Sequence, residues 1–169
     1  MFEQCCCVLF ITTFLMHWRL VLLVNIRLSY GTALALGLRK GKADVFPTTA
    51  HVMTASFERC AYDCSFCSQA KSGDGDITTL SRMTWGLYDL DTVCFALKAK
   101  NCFERICLQV VNNNDGEKEC PQIVERLAQL GVAPVSVTVR TLSEAYVNTL
   151  FEKGADMVAV SLDAVGEKS

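Results

Sequence analysis

The stretch "RICLQVVNNNDGEKECPQIVERLAQLGVAPVSVTV", Arg105 to Val139, decides the fold. Residues 105–111 read as a buried strand and "NNNDGEKE" as a turn. Residues 120–130 read as a helix stopped by Gly131, and "PVSVTV" at 134–139 as a strand rich in β-branched residues. Two strands joined through a helix pair in parallel by a right-handed crossover.

The alternation continues outward. Ser143 caps a helix in "LSEAYVNTLFEKG", Glu144 supports its positive end, Gly154 stops it, and "DMVAVSLD" at 156–163 follows as a strand. In the other direction lie a helix at about 89–100, a polar loop "KSGDGDITTLSR" at 71–82, and a short strand "AHVMTA" at 50–55. "NIRLSYGTALALGLRKG" at 25–41 carries apolar residues at helical spacing and closes with basic residues and Gly41, which predicts a helix. The expected order is β-loop-α-β-α-β-α-β. Apolar strands without a period of two imply a parallel α/β sheet covered on both faces, either open or part of a barrel. Four strands cannot close a barrel, so the chain is expected to be the N-terminal part of a longer core. Active residues gather at the C-terminal ends of such strands, which puts Cys60, Asn112, Arg140 and Asp163 on one rim.

Of the 169 residues, 51% are hydrophobic, enough for one domain with a real core over 26–169. Sixteen basic against 18 acidic side chains, with no basic cluster longer than "LRKGK", argue against a nucleic-acid-binding surface. Residues 1–25 form an apolar extension. A membrane anchor through 5–24 is not favoured, because Arg19 at its middle costs about 2.5–3.5 kcal/mol on insertion scales. A signal peptide fits poorly, with Glu3 where a positive region belongs, so a cytoplasmic protein is expected.

The ten cysteines do not form a secreted disulfide framework. Three of them lie in "CAYDCSFC", 60–67, on the loop that follows the first parallel strand. Three thiolates can hold three corners of a [4Fe–4S] cube and leave the fourth iron open. Structural zinc with His51 or Cys94 as fourth ligand, and a disulfide, stay open as alternatives. Cys94, Cys102 and Cys120 fall in or beside helices, where packing is the plain explanation, and Cys107 reads as a buried core thiol. Trp85 lines an entrance or anchors its loop, and Arg82 meets a carboxylate or pairs at the surface.

Cys60, Cys64 and Cys67, with aromatic Phe66 before the third, resemble the CxxxCx(aromatic)C motif of the radical S-adenosylmethionine (radical SAM) superfamily. The resemblance implies the first part of a TIM-type (β/α) barrel with about four parallel strands. It also implies a cluster held by those cysteines and S-adenosylmethionine (SAM) on its open iron, cleaved reductively to a 5′-deoxyadenosyl radical that abstracts hydrogen. By the same resemblance Phe66 packs near the adenine, Gln109 and Asn112 stand where a strand end holds the methionine amino group, and Asp163 binds the ribose hydroxyls. Ser161 and Arg140 face the same site. The chain has "LQVVN" in place of the family's glycine-rich GGE. "TAHVMT", "CSQAKS", "LSRMTW" and "ICLQVVN" look like the biotin synthase-like branch, most of all one subunit of the two-component lipoyl synthases. This implies a transferase that inserts sulfur in lipoate biosynthesis. Its implied partners are a reduced donor such as ferredoxin or flavodoxin, a second radical SAM subunit and a lipoyl-domain carrier protein. Another biotin synthase-like enzyme, or an iron–sulfur binding fragment without activity, is the alternative.

Overall fold

A computed structural model describes residues 24–80, 82–140 and 143–161. The elements run β1 (Asn25–Leu28), α1 (Tyr30–Ala35), β2 (Thr49–Thr54), β3 (Thr79–Leu80), β4 (Met83–Thr84), β5 (Gly86–Asp89) and α2 (Leu90–Lys100). They continue with β6 (Arg105–Gln109), α3 (Asn114–Ala128), β7 (Val135–Val139), α4 (Glu144–Glu152) and β8 (Met157–Val160). Six strands form one sheet in the order β5-β1-β2-β6-β7-β8, and β3 and β4 form a separate hairpin.

The expected parallel core is present: β2, β6, β7 and β8 pair in parallel and in chain order. A closed barrel is not what the described residues form, since β1 and β5 extend the β2 edge in antiparallel pairing. The helix expected over 25–41 is a strand followed by a short helix. Ile26 and Leu28 are fully buried, two residues apart on one face, which is strand periodicity. Ser29 then ends the strand and caps α1, its hydroxyl accepting from the Thr32 amide. Since β1 starts at Asn25 and Val24 is buried, the sheet already includes the end of the 1–25 stretch.

The sheet faces also differ from expectation. Ala50, Val52, Ile106, Leu108, Val135, Val137 and Val139 are buried in one core with Leu97 of α2, Ile123, Val124 and Leu127 of α3, and Leu150 of α4. The alternate residues His51, Cys107, Gln109, Ser136 and Thr138 point to the opposite face. The strands therefore alternate in character, and only one face is apolar throughout. Cys94 and Cys120 pack in that core, and burial pushes both thiols up to about 11. Cys107 is not a core thiol. It is half-buried on the opposite face, where it accepts from Gln109 Nε2 at 3.1 Å. Cys102 is exposed, so packing does not explain it.

Helix α2 matches its prediction, with Asp89 capping the Thr92 amide at 2.9 Å and Asn101 in the left-handed region at its end. Helix α3 starts six residues earlier than expected. Asn113 accepts from the Gly116 amide at 2.8 Å, and Asp115 and Glu117 favour the first turn. Pro121 lies inside the helix. The polar 71–82 stretch carries most of the β3–β4 hairpin, with Arg82 exposed at its tip at φ 62°. The 5–23 part of the apolar start and Asp163 lie outside the described residues. Among the described residues, no helix is long and apolar enough to cross a membrane.

Candidate functional site

The segment after β2 turns across the C-terminal ends of the parallel strands and is held there by backbone contacts. The Ala61 amide donates to the Asn112 carbonyl at 2.6 Å. Asn113 Nδ2 donates to the Glu58 carbonyl at 3.0 Å, and Thr54 Oγ1 accepts from the Val111 amide at 2.9 Å. The loop is closed on itself by Cys60 N to Gln69 O at 3.0 Å and Lys71 N to Tyr62 O at 2.9 Å. Between these closures, Cys67 N donates to Cys64 O at 3.0 Å, a tight turn that brings the second and third cysteines of the motif together.

Arg59 organises the loop from its other end. Its guanidinium donates to the carbonyls of Ser68 at 3.0 Å, Ala70 at 3.4 Å and Gly75 at 2.7 Å. A planar fork with five donors suits three converging carbonyls, a task a lysine could not perform in the same geometry. Gln69 is buried and ties the loop to the hairpin through Nε2 and the Thr79 carbonyl at 3.1 Å. Nothing in the cysteine spacing marks Arg59, Tyr62 or Gln69, because their roles depend on where the later chain returns.

Cys60, Cys64 and Cys67 line one cavity of about 270 Å³ together with Phe66, Gln109, Asn112, Arg140 and Ser161. Tyr62, Gln69, Met53 and Leu80 complete much of its wall. The three motif cysteines and the described residues expected to contact SAM thus border one space. The three thiols are half-buried and carry no disulfide. Phe66 is 77% exposed at the cavity's edge, an apolar ring open to contact a flat group. Asn112 Oδ1 accepts from the Arg140 amide at 3.3 Å, linking the ends of β6 and β7. Arg140 reaches the loop itself: Nη1 lies 3.3 Å from Cys64 Sγ, and the guanidinium carbon is 4.0 Å from the Tyr62 ring centroid.

Among the described residues, no three His, Cys, Asp or Glu side chains converge closely enough to hold a single metal ion. A tetrahedral zinc site would need sulfurs about 3.8 Å apart. Three undisulfided thiols of one loop bordering one cavity are what the described residues offer there. Neither proposed fourth zinc ligand fits. Cys94 packs in the helical core, and His51 lines a separate cavity of about 570 Å³.

That larger cavity lies beside the first and shares Leu80 and Gln109 with it. Phe46, Pro47, Met83 and Trp85 give it an apolar wall, against Ser29 and His51. Trp85 is buried and anchors the hairpin: its indole donates to the Leu80 carbonyl at 3.2 Å, and its own carbonyl accepts from buried Arg27 at 3.2 Å.

The described residues define an α/β protein with a mostly parallel sheet and a thiol-bordered cavity at the C-terminal ends of its strands. Comparison with protein families, with curated proteins and with solved structures finds no match to this chain.

Proposed function

We propose that this chain is an iron–sulfur protein of the radical SAM type, with Cys60, Cys64 and Cys67 as the cluster ligands. One observation carries the reading: the three cysteines of the motif border one cavity with Phe66, Gln109, Asn112, Arg140 and Ser161. The chain-order arrangement of β2, β6, β7 and β8 supports an incipient (β/α) barrel, since a doubly wound sheet would reverse strand order at a switch point. On this reading the polar face bearing His51, Cys107, Gln109 and Thr138 is the barrel-interior face.

Cys60, Cys64 and Cys67 would hold the cluster, which when bound would supply the electron for reductive cleavage of SAM. The chain's own residues bind and orient. Phe66 offers an apolar face to the adenine, and Gln109 and Asn112 present amides to the methionine end. Ser161 presents a hydroxyl beside them. Leu80 and Met53 help keep water from the radical's path. The apolar cavity next door, reached past Gln109 and Leu80, is the substrate side, in keeping with sulfur insertion into a lipoyl precursor presented by a carrier protein. A ferredoxin- or flavodoxin-type donor and a second radical SAM subunit complete the proposed system.

Anaerobic reconstitution with iron and sulfide tests this. The expected product is a brown protein whose reduced EPR spectrum changes when SAM is added, and Cys64→Ala should lose both iron and signal. Bound zinc with no SAM response would sink the reading. A cluster that binds SAM without cleaving it would favour an iron–sulfur binding protein instead.

A further inference from the structure

Resting on that reading, we propose that Arg140 is a positioning residue that raises the reduction potential of a cluster on the cysteine loop through its N–H···S contact with Cys64. Three contacts aim the group. Its backbone amide is fixed by Asn112 Oδ1 at 3.3 Å, its guanidinium stacks 4.0 Å from the Tyr62 ring centroid, and Nη1 meets Cys64 Sγ at 3.3 Å. Tyr62 lies on the same loop as Cys64, so loop and β7 end are joined at two points. The carbonyl of Asn112 also accepts from Ala61 of that loop, which makes the frame around Arg140 mutually supporting.

The chemistry sets the sign. Reduction adds negative charge to the cluster and its thiolates, and a hydrogen-bond donor carrying positive charge at one sulfur stabilises the reduced form more than the oxidised one. A guanidinium keeps its charge at all working pH values. Stacking on Tyr62 holds it against the pull of solvent. Arg140 also borders the cavity proposed for SAM, and its contacts with Cys64 Sγ and the Tyr62 ring give it this second role beside that one.

The test is an anaerobic redox titration of the reconstituted protein without SAM, followed by EPR. Arg140→Gln should shift the midpoint to more negative potential at wild-type iron content. Arg140→Lys, which keeps charge but not the planar fork, should fall between. Tyr62→Leu should shift it in the same direction by less. A midpoint for Arg140→Gln equal to wild type overturns the proposal. Should that variant fail to retain iron, wild-type midpoints in both other variants overturn it. Absence of any cluster in the wild-type protein removes the iron–sulfur reading itself, a result distinct from an unmoved midpoint.

Discussion

The Tyr146 hydroxyl donates to the Glu117 carbonyl at 2.7 Å, and Glu117 is the residue four before Pro121 in α3. Proline has no amide hydrogen to give that carbonyl, so a side chain of α4 supplies the donor that the helix lacks. The contact also joins α3 to α4 on the helical side of the sheet. Tyr146→Phe should therefore lower stability by about 0.5–1.5 kcal/mol, the net worth of a hydrogen bond at this half-buried carbonyl. Urea denaturation checks it: Tyr146→Phe combined with Pro121→Ala should recover much of the loss, and equal losses in both backgrounds would contradict the account.

Gly116 occupies a position where a side chain cannot fit. A Cβ there would lie 2.2 Å from the Val111 carbonyl and 3.1 Å from Thr54 Oγ1. Gly116→Ala would gain up to about 1 kcal/mol of helix propensity. Overpacking against backbone costs about 1–3 kcal/mol and wins. The expected net loss is read from the urea midpoint, and a midpoint at or above wild type would show that the approach of α3 to the β6 end is looser than it looks.

Arg59→Met keeps the apolar stem but removes the donors to three loop carbonyls. The loop should loosen without global unfolding. Limited trypsin digestion reports on this directly, because exposed Lys71 lies within the segment. Cleavage after Lys71 should accelerate several-fold while the urea midpoint changes by less than the equivalent of about 2 kcal/mol. An unchanged cleavage rate would remove Arg59 as the organiser of the cysteine loop.

Cys94 and Cys120 give the protein an alkaline limit. Burial raises both thiols to about 11 from an ordinary value of 9.0. Between those values the unfolded chain releases protons that the folded chain retains, so stability falls as pH rises from about 9 and the loss is complete near 11. Burial raises the Tyr146 phenol as well, adding a loss of the same sign at higher pH. Urea midpoints should decline between pH 8.5 and 10.5, with a shallower decline when Cys94 and Cys120 are both replaced by Ala. Parallel slopes in the two proteins would exclude the thiols as the cause.

Much of the cysteine site was legible before any coordinates. The motif lies where an apolar strand ends, and strand ends in parallel sheets converge, so Cys60, Asn112 and Arg140 could be placed on one rim from local patterns alone. The misreadings have specific causes. At 25–41 a two-residue alternation of Ile26 and Leu28 was hidden inside apolar spacing that also fits a helix, and the strand exists because β2 and β5 pair with it on either side. The polar run 112–119 reads as a turn by composition, yet α3 starts within it at Asn114, because the Asn113 side chain accepts from the Gly116 amide. Cys107, read as a core thiol, lies on the face of β6 opposite buried Ile106 and Leu108, because a strand turns successive side chains to opposite sides.

By itself, the sequence determined the alternation of strand and helix, the parallel order of four strands and the placement of three cysteines on one loop. Those features follow from hydrophobic periodicity, capping residues and chain order, which act over a few residues. Only the tertiary structure decided which face of the sheet the helices cover, that β1 and β5 extend the edge, and that Arg140, Tyr62 and Cys64 meet. Those outcomes depend on contacts between residues up to 76 apart in the chain, and no local pattern specifies where two distant segments come together.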